Sequence, residues 1–279
     1  MTKIVILGAG GKMGYRCSSN LVGSPWQVSH VEVSAAGQER LKPLGIVCQP
    51  ADEVLPKADV VILAIPDNVI GRATNQLAHL FKPGAILVAL DAAAPFAGEL
   101  PDRADLSIFV AHPCHPSIFN DENDLQARRD YFGGVAAKQS IVCALMRGPE
   151  SHYELAVAIA QRMYAPVIEA HRATVDQMAI LEPVLSETIC ATCLTVIREA
   201  TDEAVRRGVP KQVAHDFILG HLNVELAILF DQMPGVRMSD AANRAVERAK
   251  KEIFVPDWKK VFEPAAIEES IRMITQVEA

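Results

Sequence analysis

Short apolar runs alternate with amphipathic stretches through the first 170 or so positions. The runs Lys3–Leu7, Val28–Val33, Asp59–Ile65, Ala85–Leu90 and Ser107–Ala111 are of strand length and rich in β-branched residues. Strands separated by helical patterns predict a parallel sheet with crossover helices. Two further runs, Ala136–Leu145 and Pro166–Glu169, extend the same sheet, with a helix between them over Glu150–Tyr164. Beyond His171 the pattern is helical almost to the end. One helix is predicted from Thr174 to Arg207, closed by Gly208 with Pro210 just after it. A second runs over Gln212–Gln232, and its stretch "FILGHLNVELAILF" is apolar nearly all round, which predicts burial on every side. A chain of this size reaches that burial most readily in a subunit interface, so a homodimer is expected.

The first strand leads into "GAGGKMG", with glycines at 8, 10, 11 and 14. In a strand–turn–helix unit such glycines permit a tight turn, let the backbone approach a pyrophosphate, and let helix and strand pack closely. The helix N-terminus then offers free N–H groups to the phosphates. Gly8, Gly10, Gly11, Lys12, Met13 and Gly14 are therefore candidate cofactor residues, although Met13 stands where the usual fingerprint has its third glycine. Glu32 ends the second run 18 residues after Gly14, where a carboxylate meets the adenosine ribose hydroxyls. No lysine or arginine follows it before Arg40, which favours NAD over NADP. The alternative for Glu32 is a solvated acid at a strand end. Pro66 and Asp67, in "AIPDN", fall at the carboxyl end of a strand, where ligands bind in open α/β sheets, and are either cofactor contacts or an ordinary turn. The fold class is α/β, a Rossmann-type doubly wound sheet over 1–171 followed by an all-helical dimerisation domain over 172–279.

Composition narrows the partners. Among 279 residues the formal charge is −7, half of the chain is apolar, and no run is basic, which argues against a nucleic-acid surface and for small molecules. The N-terminus reads as a first strand rather than a signal peptide, and no apolar run is judged long enough to span a membrane, so a cytoplasmic protein is expected. Six scattered cysteines suit reduced thiols, and Cys190 and Cys193 read as buried thiols of a helix.

Two stretches carry candidate chemistry. "VAHPCHPSIFN", Val110–Asn120, places His112 next to a strand end in a proline-stiffened loop, as a general base or a metal ligand. Cys114 and His115 read more readily as turn residues, and Asp91, on the same rim in "ALDAAAP", is a weaker candidate. In "DQMAILEPVLSETICATC" the ring of Pro183 should kink the long helix and free the carbonyl of Ala179. Glu182 and Ser186 share a face there, and polar groups in an apolar helix call for a partner such as a substrate or cation. The alternative is an exposed polar stripe. His221 and Glu225, four apart, read first as a satisfied core pair and second as site residues.

These landmarks resemble the β-hydroxyacid dehydrogenase and ketol-acid reductoisomerase superfamily, and "GAGGKMG", "AHPCHPSIFN" and "LEPVLSETICATC" resemble the D-apionate oxidoisomerase family. β-Hydroxyacid dehydrogenases carry a lysine, followed four residues later by an asparagine, on the long helix; Glu182 and Ser186 are the matching pair here. A bound divalent metal, held by His112 and Glu182, would restore the lost positive charge. The resemblance implies NAD-dependent oxidation of a branched sugar acid, D-apionate, with acyl-group migration to 3-oxo-isoapionate in carbohydrate catabolism, through His112, Glu182 and Ser186. Two other readings compete: a dehydrogenase of the β-hydroxyacid type without rearrangement, and a non-catalytic NAD-responsive binding protein.

Overall fold

The computed structural model describes residues 1–276. Every predicted run carries a strand: β1 (Lys3–Leu7), β2 (Gln27–Val31), β3 (Val60–Leu63), β4 (Ile86–Ala89), β5 (Ser107–Pro113), β6 (Gln139–Arg147) and β7 (Val167–Arg172). They form one sheet in the order β2-β1-β3-β4-β5-β6-β7. The first five are parallel, with Leu7 beside Val31 and Leu63, and Ala89 beside Val110. Their carboxyl ends therefore share one rim, which holds the glycine loop, Glu32, Pro66, Asp91 and His112.

The sheet is not parallel throughout, as expected from the alternation, because β6 runs antiparallel to β5 and pairs His112 with Val142. The cause lies in the connection. Its one helix among the described residues, Leu125–Arg128, is too short to cross the sheet, so the chain turns back at the rim it has just reached. Residues 114–138 thus overhang the ligand side. The 14-residue helix Glu150–Met163 then crosses over and β7 joins parallel to β6.

Successive strand residues point to opposite faces, and both faces are covered. Ile4, Ile6, Val60, Ile62 and Phe109 pack with Cys17 and Leu21 of the helix Lys12–Leu21 and with Ile159 and Met163. Val5, Leu7, Val61, Leu63 and Leu87 pack on the other side with Ile70, Phe81 and Leu100.

A third cluster joins Ala89, Val110 and Ala144 to Val175 and Met178. The start of the long helix therefore belongs to the sheet, and the chain divides between Pro183 and Val184 rather than near 171. One unit is Met1–Pro183 with the segment from Glu268, and the other is Val184–Ile267. Thr174 caps that helix by accepting the Gln177 N–H, and the Gln177 side chain accepts the Thr174 N–H in return. After Val175–Ile180 the backbone widens into a π-helix, Leu181–Ala191, before the α-helix resumes over Thr192–Arg206. The disturbance expected at Pro183, which lacks the N–H an α-helix needs, takes the form of this wider register. Glu182 and Ser186 accordingly do not follow the α-helical face assumed for them.

Two readings of the helical part are corrected: that no apolar segment is long enough to span a membrane, and that Cys190 is buried. Val175–Arg206, with a mean hydropathy of 1.6 in its most apolar window, is by length and composition long enough to cross a membrane. The helix Lys211–Leu229 buries Ala214 alone, and Phe217 and Phe230 are 65% and 63% exposed, so the burial its pattern demands is not met within one chain. All six thiols are free, and Cys190 is exposed rather than buried.

Candidate active site

β1 turns through Gly8–Gly11 into the helix Lys12–Leu21, whose N-cap is Gly11. Tyr15 is the first residue to bond back, its N–H to the Gly11 carbonyl at 2.8 Å. The N–H groups of Lys12, Met13 and Gly14 thus have no helical partner, the arrangement that receives a phosphate. Gly14 takes the part of the third glycine one position late: a Cβ there would lie 2.0 Å from the Gly8 carbonyl oxygen. Met13 packs against the core instead.

Glu32, just past β2, accepts the Gly10 N–H at 2.9 Å and the Ser34 N–H at 2.8 Å. Burial raises its pKa, but the bonds from Ser34 and Gly10 outweigh that and hold the carboxylate below its ordinary range. The same residue therefore fixes the glycine loop and lines a cavity of about 450 Å³ with Gly8, Gly11, Ser34, Pro66 and Val69. Its size and apolar walls suit the adenosine half of a dinucleotide. Arg40, the first cation after Glu32 in the chain, also lines it. Asp67 opens the helix Asp67–Leu77 beyond Pro66.

Sequence reasoning missed Gly37. A Cβ on it would sit 2.5 Å from Glu32 Cδ, and a Cβ on Gly10 would meet the Gly37 backbone at 2.4 Å. The signal was a glycine inside the short helix Ala35–Leu41, a position that costs stability without a close approach to justify it.

The second half of the site is built around His112. Its Nδ1 donates to the Leu90 carbonyl at 2.9 Å; a carbonyl only accepts, so Nδ1 carries a hydrogen, and in the neutral ring Nε2 keeps a lone pair. Nε2 is buried without a hydrogen-bond partner and lies 3.4 Å from a Glu182 carboxylate oxygen. In the neutral ring, Nε2 and the carboxylate are thus two acceptors facing one another. Asp91 comes within 3.5 Å of Nδ1 and is steadied by accepting the Ala93 N–H at 2.7 Å, a closer place than its weak sequence signal suggested.

The other candidates are placed less centrally. Ser186 is exposed and belongs to the second unit. Burial pushes the Cys114 thiol pKa up, which is the wrong direction for a nucleophile. His221 is exposed, bonds to the Phe217 carbonyl at 2.8 Å and stacks on that ring, so it is not a core partner of Glu225. Among the described residues no three His, Cys, Asp or Glu side chains are grouped to hold a metal. The chain offers a cation the facing pair His112 Nε2 and Glu182, so further ligands would come from substrate or water.

The family model described as phosphogluconate dehydrogenase (decarboxylating) C-term matches residues 120–275. A D-apionate oxidoisomerase of Cupriavidus necator is 58% identical over 98% of this chain and 99% of its own length. One from Rhizobium rhizogenes is 56% identical over 99% of this chain and 100% of its own. A solved semialdehyde dehydrogenase NAD-binding protein from Cupriavidus necator, in complex with calcium and NAD, is 58% identical, with a TM-score of 0.96 over 99% of this chain and 100% of that one.

The packing around Gly37 generates a test. Gly37→Ala should displace Glu32, release the Gly10 N–H, weaken NADH binding about tenfold or more in a fluorescence titration, and narrow the preference for NAD over NADP. An unchanged preference would show that Gly37 does not position Glu32.

Proposed function

The chain belongs to the D-apionate oxidoisomerase family, and on that footing we propose that it is an NAD-dependent oxidoreductase acting on D-apionate. The reaction is oxidation of the branched sugar acid with acyl-group migration to 3-oxo-isoapionate, a step of carbohydrate catabolism. The observation that carries the reading at the level of chemistry is the facing pair of acceptors, His112 Nε2 and Glu182, 3.4 Å apart. A polyhydroxy acid brings a hydroxyl hydrogen to each of them.

NAD, when bound on the glycine loop, supplies the hydride acceptor. His112 Nε2 takes the proton of the substrate hydroxyl as hydride leaves the same carbon. The imidazolium so formed is stabilised by Glu182, Asp91 and the Leu90 carbonyl, all at the rim. Its new Nε2–H then donates to the carbonyl oxygen and keeps that carbon electrophilic while the acyl group migrates. As the group leaves the adjacent carbon for the carbonyl carbon, the adjacent hydroxyl becomes the new carbonyl and passes its proton to the Glu182 carboxylate, the Nε2–H protonates the former carbonyl oxygen, and the oxidation state of the molecule is unchanged.

A second reading is favoured by the calcium in the relative's structure. Here His112 and Glu182 hold a divalent cation, which would act as a Lewis acid on the substrate oxygens, and His112 is no longer the base. In either reading the exposed apolar residues of Lys211–Leu229 are covered by a second copy of the chain, making a cytoplasmic homodimer.

NADH formation from NAD and D-apionate, followed by carbon NMR of the product, tests the reading. The expected product has a rearranged skeleton, and His112→Asn should lower kcat by about 10²-fold or more while NADH still binds. An unrearranged product would leave a plain dehydrogenase, and NADH binding without turnover a binding protein. Full activity in EDTA excludes the cation reading. Sedimentation equilibrium should give twice the chain mass; a monomer at micromolar concentration would contradict the dimer.

A further inference from the structure

His115 stands three residues beyond His112, in the segment that overhangs the rim. Its backbone is left-handed, φ 62°, a conformation uncommon outside glycine. The turn reading of the sequence accounts for that backbone but not for the ring. Nδ1 donates to the Phe132 carbonyl at 2.9 Å, so it carries a hydrogen, and in the neutral ring Nε2 keeps a lone pair with no partner among the described residues. The side chain is only half-buried, so a ligand can reach it. The ring stands edge-on to that of His112, with 6.2 Å between their centres. Two neighbouring imidazoles are thus each tied through Nδ1 to a carbonyl, and each has Nε2 left over.

The surroundings fix this ring from both sides. The Cys114 N–H bonds to the Ser140 carbonyl at 2.9 Å and holds the start of the loop to β6. Across from it, Asp130 Oδ2 accepts three successive N–H groups, Val135 to Ala137, and so pins the stretch that presents the Phe132 carbonyl. The Phe132 ring meets His115 edge-on at 5.6 Å and carries Lys12 Nζ over its face at 3.8 Å. A left-handed residue held by this many contacts, next to a reaction base, has the marks of a functional position rather than of a free turn. Among the described residues it does not join His112 and Glu182 in a three-ligand metal group, so its free nitrogen is left for substrate rather than for a cation.

We infer that His115 is a second substrate-binding histidine, whose Nε2 accepts a hydrogen bond from a further hydroxyl of the acid while His112 and Glu182 hold the reacting ones. The inference rests on the proposed reading of His112 as the place where that substrate reacts. Two hydrogen bonds of about 2.8 Å, with the gap between hydroxyls on neighbouring carbons, span the distance between the two rings. An acid with a single hydroxyl forgoes the bond to His115, so the residue selects a polyhydroxy acid.

Two converse variants test it. His115→Asn keeps a donor for the Phe132 carbonyl, tolerates the left-handed backbone and removes Nε2. At saturating NAD it should raise KM for D-apionate about tenfold or more, with NADH affinity within about twofold of the parent. His115→Gln keeps an acceptor near the place of Nε2 and should stay within about threefold of the parent's KM. An unchanged KM in His115→Asn would leave the ring a structural part of the loop and overturn the inference. Equal losses in both variants, or weakened NADH binding, would trace the effect to the loop and also overturn it. In the parent, D-apionate added to the NADH-loaded protein should shift the His115 Nε2 resonance in a long-range ¹⁵N–¹H correlation, the resonance being identified by its loss in either variant; no shift would overturn the inference. If the parent forms no NADH from D-apionate, the functional reading fails separately, and glycerate, a small dihydroxy acid, takes its place in the same spectrum. A shift of the Nε2 resonance would uphold the site, and none would overturn it.

Discussion

Leu90, one residue past β4, offers its carbonyl to His112 Nδ1 at 2.9 Å, and the rest of the reaction site depends on that bond. It fixes the imidazole tautomer and aims the Nε2 lone pair at the Glu182 carboxylate. With the imidazole neutral, neither acceptor can satisfy the other. The pair therefore waits for a group that carries a hydrogen or a positive charge, which is what a polyhydroxy acid or a divalent cation supplies. A histidine of the other tautomer would hydrogen-bond Glu182 directly and close the gap.

The sheet places this pair relative to the cofactor loop. Five parallel strands bring the glycine loop, Glu32, Pro66 and His112 to one rim, and the switch between β1 and β3 opens the crevice that a dinucleotide uses. The antiparallel turn into β6 adds a roof to the same rim. Without that turn, Phe132 and His115 would have no reason to lie near the first helix. The binding half and the reacting half of the site are thus consequences of strand direction as much as of the residues themselves.

Much of this was legible in the chain. Apolar runs marked β1, β3, β4 and β5 because a buried parallel strand has little freedom in composition, and the glycine spacing with Glu32 marked the cofactor side. His112 stood out because a histidine among prolines at a strand end has few structural uses. Asp91, Gly37 and Phe132 were harder to see, since each matters only through a contact with a residue distant in sequence. The domain boundary was set too early because Val175 and Met178 look like ordinary helix residues, and only packing shows that they complete the sheet's core. Pro183 signalled a disturbance of the helix correctly, but propensity could not say that it would take the form of a π-helix. The exposed faces of Lys211–Leu229 show the limit of reading burial from one chain.

The most direct measurement is the tautomer of His112, by long-range ¹⁵N–¹H correlation of its imidazole at slightly alkaline pH, with the resonances identified by their loss in His112→Asn. The account predicts a neutral ring protonated at Nδ1 with a free Nε2. A hydrogen found on Nε2 would contradict it, because that nitrogen could then neither take the substrate's proton nor hold a metal.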